Sequence, residues 1–271
     1  MTGNTKKSEK NLLRLCKLHA MKDIVITSRD NALMRELRDD RVLQKHRRVR
    51  LDGDHLIDAA VGRGRRLSVL VTVETQSVPP AWRDAAERVV TVTEALMKSI
   101  GTLPSPAPCV ALLPLSDPPE IVPDAPSVVL DRVQDAGNVG SILRSAAAFG
   151  YTQIIALTGT ARLWSPKVVR AGMGAHFALH LIDAASPDAL DALRVPLLTT
   201  SSHRGDDLHR ADVPFPCAWL FGHEGRGVRD ELAARSTRRV RIAQPGGEES
   251  LNVAAAAAVC LHAGAVRRGG A

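Results

Sequence analysis

Five polar residues in the second half of the sequence have types and positions that could hold and activate a substrate. They occur in three stretches: Asn138 and Arg144 in DRVQDAGNVGSILRSAAAFG (131–150), Glu224 in WLFGHEGRGVRDEL (219–232), and Ser250 and Asn252 in RIAQPGGEESLNVAAAAAVCLHA (241–263). Each stretch leaves an apolar segment and enters a helical pattern, and the last two pass through glycine-rich loops. Backbone N–H groups that are free at helix starts can bind a nucleoside or a carboxylate without a charged side chain. The three stretches therefore predict one ligand site.

The first stretch predicts an amphipathic helix over 138–149. On a helical wheel its polar residues fall within an arc of about 120°. The arc consists of Asn138, Ser141, Arg144 and Ser145, and the opposite side consists of Val139, Ile142, Leu143, Ala146 and Phe149. Alone, this pattern fits a capped surface helix as well as one wall of a binding site.

The glycine-rich loop at 222–227 does not match the common nucleotide-binding or zinc motifs. Its G-x-x-G-x-G spacing differs from the dinucleotide fingerprint, and no Gly-Lys-Ser/Thr follows as in a Walker loop. His223 and Glu224 begin a zincin-like motif, but Gly227 stands where the second histidine would be. No metal is predicted.

The elements around these stretches alternate between strands and helices. The predicted strands are SVVLD, QIIALT, ALHLID, PLLTTS, CAWLFG and RRVRIA, and the predicted helices lie near 138–149, 166–174, 186–193, 226–236 and 250–265. Apolar strands with crossover helices indicate an α/β fold whose mostly parallel sheet is covered on both faces. Ligands bind such sheets beyond the carboxyl ends of the strands, where the three stretches begin.

A proline-rich region, from LPSPAP to PLSDPPEIVPDAP, divides the chain because proline is excluded from helix interiors and central strands. We predict a flexible basic tail at 1–20, a small α/β domain at 21–118, a linker at 119–126 and a larger domain at 127–271. The small domain is predicted from helices in ITSRDNALMRELRD, DGDHLIDAAVGRG and TEALMKSIG, and from strands in LSVLVTVE, VVTVT and VALLPL.

The small domain carries a dense run of basic residues that predicts a phosphate-binding surface. The predicted RNA contacts are Arg41, Lys45, Arg47, Arg48 and Arg50, preceded by Arg35 and Arg38. A solvated helix face is the alternative, but bases far outnumber acids within 41–50.

The whole chain has a formal charge of +7 and a pI near 9.6, which favours a partner with many negative charges, most simply nucleic acid. The four cysteines are scattered without CxxC or metal spacing, as in a protein with reduced thiols. The longest apolar run, 253–266, is too short to cross a bilayer. A cytoplasmic protein without a membrane segment is expected.

In order and spacing, the three stretches closely resemble the three motifs of the SpoU (TrmH-like) branch of the SPOUT RNA methyltransferases. The resemblance covers 127–265 and includes SPKVVRAGMGAHF (165–177), which is similar to the segment that the family places between its first two motifs. The region ITSRDNALMRELRD…HRRVRLDGDHLIDAA is similar, more weakly, to the substrate-binding domain that many members carry in front.

The resemblance implies a C-terminal trefoil knot, a homodimer with active sites near its interface, and S-adenosyl-L-methionine (AdoMet) as cofactor. It places Gly222, Ile242, Gln244 and Leu251 around the cofactor, and Asn138, Arg144, Glu224, Ser250 and Asn252 in the catalytic site. In one departure, Ile242-Ala243-Gln244 stands where the family usually has Ile-Pro-Met, so the side-chain contact of Gln244 is open.

The reaction implied is methyl transfer to a ribose 2′-hydroxyl of structured RNA, with Arg144 stabilising developing negative charge or acting as base. The resemblance of the front domain favours 23S ribosomal RNA over transfer RNA as the partner. Two alternatives are a non-catalytic RNA- or ribosome-binding protein, which would be expected to lose Asn138, Arg144 or Asn252, and a different nucleotide-binding enzyme, which would need phosphate-binding residues that are missing from the sequence.

Overall fold

The computed structural model describes residues 23–100, 107–201, 204–247 and 250–268 and divides the chain into two compact units, 1–115 and 116–271. The tail predicted at 1–20 lies outside the described residues. The predicted linker 119–126 is hydrogen-bonded within the second unit, where Val122 donates its N–H to Gln153 Oε1 at 2.7 Å and accepts from Gln153 Nε2 at 3.1 Å. No described helix is long and apolar enough to cross a membrane.

The first unit is an α/β unit with a mixed five-stranded sheet. Its strands are β1 (Asp23–Ile26), β2 (Arg48–Asp52), β3 (Val69–Val73), β4 (Val89–Val92) and β5 (Cys109–Pro114), in the order β1-β4-β3-β5-β2. Its helices are α1 (Ala32–Arg38), α2 (Asp40–Lys45), α3 (Asp54–Val61), α4 (Pro80–Ala85) and α5 (Glu94–Ile100). β5 runs antiparallel to β2 and β3, and the other pairs are parallel.

The structure corrects one residue of the predicted basic surface. Arg50 lies in the middle of β2 and is 3% exposed, with Nε 2.9 Å from Asp52 Oδ1 and Nη1 donating to the carbonyl of Leu37. A guanidinium that is buried and paired in this way is not available to a phosphate. The prediction was wrong at Arg50 because the run of bases conceals a strand whose three central residues, Val49 to Leu51, are all buried.

The second unit contains a parallel seven-stranded sheet. Its strands are β6 (Ser127–Asp131), β7 (Gln153–Leu157), β8 (His180–Ala185), β9 (Leu197–Thr200), β10 (Asp206–Asp207), β11 (Ala218–Gly222) and β12 (Arg238–Arg241), in the order β10-β12-β9-β11-β6-β7-β8. Its α-helices are α6 (Ala136–Ala148), α7 (Pro166–Gly172), α8 (Asp230–Ala233) and α9 (Val253–Arg268), with 3₁₀ turns at Ala175–Ala178 and Pro187–Ala192.

Both faces of this sheet are covered, as predicted. In β6, Val128 and Leu130 belong to one apolar core and Val129 to another, so successive side chains point into cores on opposite faces. The six strands predicted for this unit are confirmed. Two predicted helices are smaller: 226–236 forms only α8, and 186–193 forms a 3₁₀ turn.

Parallel pairing brings the carboxyl ends of the strands to one edge of the sheet, which we call the carboxyl edge. β6 and β11 are neighbours there, with Gly222 opposite Asp131. β9 lies between β11 and β12 and runs parallel to both, so the carboxyl end of β12 lies at the same edge. The three stretches that carry the candidate residues therefore all leave the sheet at the carboxyl edge.

Candidate functional site

Helix α6 begins at the carboxyl edge because Asp135 caps it. Asp135 Oδ1 accepts the N–H of Asn138 at 2.7 Å, which satisfies one of the first-turn donors that a helix leaves unpaired. The predicted apolar side of the helix packs into the core, whereas Arg144 is exposed and Asn138 is half-buried. The polar arc therefore faces away from the sheet.

Three side chains from the three predicted stretches form one hydrogen-bonded chain. Asn252 Nδ2 donates to Asn138 Oδ1 at 2.9 Å, and Asn138 Nδ2 donates to Glu224 Oε1 at 3.1 Å. The amide orientations follow from the two ends. Asn252 Oδ1 must accept because it faces the N–H groups that begin α9, and Glu224, a carboxylate, must accept as well. The side-chain amides of Asn252 and Asn138 therefore each have one possible orientation.

Glu224 is held as an anion by the loop that precedes α6. Besides Asn138, it accepts the N–H of Asp135 at 3.2 Å and that of Gln134 at 3.4 Å. Partial burial raises the pKa of Glu224, but its own backbone N–H and these donors outweigh burial and leave the pKa below its ordinary value. This carboxylate is therefore a weak proton acceptor and a strong anchor.

The loop after β11 folds back tightly, which explains the glycine at its start. His223 and Gly227 exchange backbone hydrogen bonds of 3.1 and 2.8 Å, and a Cβ on Gly222 would overlap the backbone of Gly227 and Val228. Gly227 has a φ of 67°, a conformation that favours glycine. Any larger residue at Gly222 would displace the loop that carries Glu224.

Asp131 anchors the other end of this loop and was missed by the sequence analysis. Its side chain is fully buried and accepts the backbone N–H of Arg229 and the Nε of Arg229, both at 2.9 Å, while the Nε of Arg132 lies at 3.2 Å. The signal for it was an acidic residue ending the apolar strand SVVLD. A buried carboxylate requires such partners, so Asp131 ties β6 to the segment after the glycine loop.

The structure does not join Arg144 and Ser250 to the chain of three side chains. Both are exposed, and neither side chain makes a hydrogen bond or ion pair with a described residue. Glu224 is bonded to the side chain of Asn138 and not to that of Arg144. Asn252, not Ser250, caps α9, through Ala254 at 2.9 Å and Ala255 at 3.3 Å.

The predicted cofactor residues lie at or near the carboxyl edge, after β11 and β12. Ile242 packs on the main core, and Leu251 is 43% exposed. Gln244 Oε1 is buried without a hydrogen-bond partner among the described residues, and no atom lies within 4 Å of a Cβ built on Gly246 or Gly247. A buried free acceptor beside open backbone fits a ligand that brings its own N–H donors, as the adenine and ammonium groups of AdoMet do.

In the first unit, four of the five predicted RNA contacts remain at the surface. Arg41, Lys45 and Arg47 are exposed. Arg48 is half-buried and donates to Glu36 Oε1 at 3.0 Å. Among the described residues of the chain, no cluster of histidine, cysteine, aspartate or glutamate side chains is arranged to hold a metal ion.

Comparisons with known proteins match the second half of the chain to a described family. Residues 125–262 match the model of the SpoU rRNA Methylase family. The chain is 30% identical, over 88% of its length and 92% of the relative's, to an uncharacterized tRNA/rRNA methyltransferase of Synechocystis. It is 28% identical, over 78% of its length and 86% of the relative's, to the 23S rRNA (guanosine(2553)-2′-O)-methyltransferase RlmP of Bacillus subtilis.

A solved structure shares the fold over most of the chain. The AdoMet-bound rRNA methyltransferase from Sinorhizobium meliloti superposes with a TM-score of 0.78 at 27% identity, covering 91% of this chain and 98% of that one.

Proposed function

Because this chain belongs to the SpoU rRNA Methylase family, we propose that it transfers a methyl group from AdoMet to the 2′-hydroxyl of a ribose in ribosomal RNA, with 23S RNA as the favoured substrate. The observation that carries the proposal is the hydrogen-bonded chain Asn252–Asn138–Glu224, which holds three family motifs together at the carboxyl edge. The relatives whose names specify methylation of a 23S ribose 2′-hydroxyl support the choice of RNA.

The loops after β11 and β12 hold the cofactor in this proposal. Gly222, Ile242 and Leu251 line its pocket, and Gln244 Oε1 accepts a hydrogen bond from it. AdoMet supplies an electrophilic methyl group on a sulfonium. The contribution of the protein is to place the hydroxyl in line with that group, which alone accelerates a reaction by orders of magnitude.

Arg144 acts on the hydroxyl as an electrostatic stabiliser. A guanidinium stays protonated at neutral pH and so does not act as a base, but it stabilises the alkoxide charge that develops as the proton leaves. The exposed guanidinium of Arg144 has no partner among the described residues, so it is available to the substrate. An adjacent RNA phosphate accepts the proton.

Asn138 orients the ribose. Its bonds to Glu224 and Asn252 leave one amide N–H and one carbonyl lone pair unused, and these can contact a ribose hydroxyl. Glu224 holds Asn138 in place, Asn252 fixes the start of α9, and Ser250 contacts the substrate or the cofactor loop.

The first unit binds RNA in this proposal, through Arg41, Lys45, Arg47 and Arg48. These side chains act on phosphates, so their contribution is expected to fall as salt concentration rises. In this proposal the protein works in the cytoplasm.

The second unit forms a homodimer through the outer side of α9 and has a C-terminal trefoil knot. Val259 and Val266, at 44% and 60% exposure, lie on one side of that helix together with Ala255 and His262, at spacings of four, three and four residues. The knot is supported by a contact that brings the chain after β12 back to α6, in which Asn252 donates to the side chain of Asn138. Val259→Asp combined with Val266→Asp is expected to halve the mass measured by light scattering.

The proposal is tested by mapping 2′-O-methylation in total RNA from cells with and without the protein. One ribosomal ribose is expected to lose its methyl group, and purified protein with AdoMet should restore it in vitro. If only a transfer RNA position changes, the substrate is wrong. If no position changes and calorimetry detects no AdoMet binding at micromolar concentrations, the proposed activity is wrong.

A further inference from the structure

A fourth loop at the carboxyl edge lies beside the candidate site but is not used in the proposed mechanism. This loop, residues 158–165 between β7 and α7, is called here the β7 loop. It is bonded to the segment that leads into α6: Arg132 donates its N–H to Thr160 Oγ1 at 3.0 Å, and Ala161 donates its N–H to Val133 O at 2.9 Å. The β7 loop is therefore fixed to the same segment that holds Glu224.

Two side chains, the buried His176 and the half-buried Asp183, hold the centre of the β7 loop. Leu163 donates its N–H to Asp183 Oδ2 at 3.2 Å, and its carbonyl lies 2.8 Å from His176 Nε2. A carbonyl only accepts, so His176 carries its proton on Nε2. Burial lowers the pKa of His176 to about 4 and keeps it neutral. Because both backbone groups of Leu163 are occupied, the backbone that carries Arg162 and Trp164 is held in place.

The residues on either side of Leu163 are an exposed arginine and a tryptophan that packs on the edge of the main core. Arg162 is exposed and makes no hydrogen bond with a described residue, and the carboxylate of Asp183 attracts it electrostatically. Trp164 is half-buried, with its ring centre 5.1 Å from that of His176 and 6.4 Å from that of Phe177. One part of the indole thus packs on the protein, and the rest is exposed to solvent.

Trp164 differs from the other two tryptophans of the chain in its indole N–H. Trp82 donates to Asp58 at 2.6 Å and Trp219 donates to Tyr151 at 3.0 Å, as is usual for tryptophan in a core. The N–H of Trp164 has no partner among the described residues, and it is not among the buried unpaired polar atoms. This indole therefore keeps a donor and part of its ring available.

The surroundings of Trp164 are basic and adjoin the proposed catalytic helix. From Thr158 to His176 the sequence has the basic residues Arg162, Lys167 and Arg170 and no acidic residue. α7 packs so closely on α6 that a Cβ on Gly140 would overlap Ala171. Gly140 lies two residues after Asn138 and four before Arg144.

We propose that the β7 loop is an RNA-binding element, in which Trp164 stacks on an unpaired base beside the target ribose and Arg162 contacts a flanking phosphate. Aromatic stacking and guanidinium contacts are the common means by which proteins hold unpaired RNA bases. A fixed tryptophan loses little freedom on binding, so a preorganised loop suits this role. The proposal rests on the proposed function, because it requires RNA at the carboxyl edge.

The test compares Trp164→Leu, Trp164→Phe and Arg162→Ala with Arg194→Ala. Arg194 is an exposed arginine that precedes β9 at the opposite edge of the sheet, so it controls for loss of positive charge. The substrate is ribosomal RNA purified from cells that lack the protein. Each variant is assayed for KM for RNA, kcat, AdoMet affinity and thermal midpoint.

Trp164→Leu is expected to raise KM for RNA by roughly 5- to 150-fold, the loss typical of one base stack, with AdoMet affinity unchanged. Trp164→Phe should retain part of the binding because it keeps an aromatic ring. Arg162→Ala should raise KM and reduce its dependence on salt, whereas Arg194→Ala should do neither. RNA should also quench the tryptophan fluorescence of the parent protein and not that of Trp164→Phe.

The inference is overturned if folded Trp164→Phe and Arg162→Ala variants both keep the parental KM and RNA quenches Trp164→Phe as strongly as the parent. Should Trp164→Leu fail to fold, these two variants decide alone. Failure of the proposed function has a different signature, because the parent protein itself would then transfer no methyl group to ribosomal RNA.

Discussion

The side-chain amide of Asn252 donates to the side-chain oxygen of Asn138 at 2.9 Å, across 114 positions of sequence. Since Asn138 also donates to Glu224, this single residue joins the loops that follow β6, β11 and β12. The geometry of the site thus depends on one amide that must accept on one side and donate on the other. Asparagine has both groups on one short planar amide, with an oxygen that accepts and an NH₂ that donates.

Asn138→Asp should therefore inactivate the enzyme with little change in volume. It places a second carboxylate about 3 Å from Glu224, where the parent has a donor, and close negative charges repel strongly. We expect kcat/KM for ribosomal RNA to fall by about 100-fold, roughly 2.7 kcal/mol.

The double variant Asn138→Asp, Glu224→Gln supplies the control. It restores one donor and one acceptor between the two side chains with their roles exchanged, and it should recover part of the lost activity. A double variant no more active than Asn138→Asp would show that this hydrogen bond is not what the first substitution breaks.

Arg144→Lys tests the role of the guanidinium. Lysine keeps the charge but loses the planar set of donors, so a role that depends on two aligned N–H groups is lost. We expect kcat to fall by about 100-fold or more while AdoMet affinity, measured by calorimetry, stays within about twofold. Arg194→Lys, the same change at the opposite edge of the sheet, should leave both values unchanged. Near-parental kcat in Arg144→Lys would exclude the bidentate role.

Much of this arrangement follows from the sequence because parallel strands end at one edge. That rule, with three polar stretches each following an apolar strand, predicts that Asn138, Glu224 and Asn252 come together, and the structure brings them into contact. Their catalytic roles stay predictions. Local patterns failed where partners outside the motif decide the outcome, as at Arg50, whose guanidinium donates to the carbonyl of Leu37 in α1, 13 positions away. Asp131 was missed for the same reason, since its partner Arg229 is 98 positions away.

Asp131→Asn should destabilise the second unit. Asp131 accepts on both oxygens, and an asparagine has only one acceptor, so either orientation points an NH₂ group at another donor. Arg229 then keeps only the exposed carboxylate of Glu231, 3.2 Å from its Nη1, as a counter-charge. We expect the free energy of unfolding in urea to fall by about 3 kcal/mol. Asp124→Asn removes a carboxylate from an exposed pair with Arg194 and should not shift the urea midpoint. Equal shifts in the two variants would contradict the anchoring role of Asp131.

His176 should make the protein less stable in mild acid. Burial lowers its pKa to about 4 from an ordinary 6.5, so between these values the unfolded chain binds a proton that the folded protein does not. Stability from this residue is therefore fully present above pH 6.5 and is lost as pH falls, by roughly 1.5 kcal/mol between pH 6.5 and pH 5. Glu224 affects stability only at lower pH, because a carboxyl with a lowered pKa stabilises the folded protein less as pH falls below its ordinary value of 4.5.

His176→Gln keeps a donor for Leu163 O without a titrating group. Urea unfolding at pH 5.0, 5.5, 6.0, 6.5 and 7.5 should give a flatter profile for this variant, by about the same amount. Parallel profiles for the two proteins would mean that His176 takes up its proton in the folded state near the ordinary pKa, and that the β7 loop is not held by a neutral histidine.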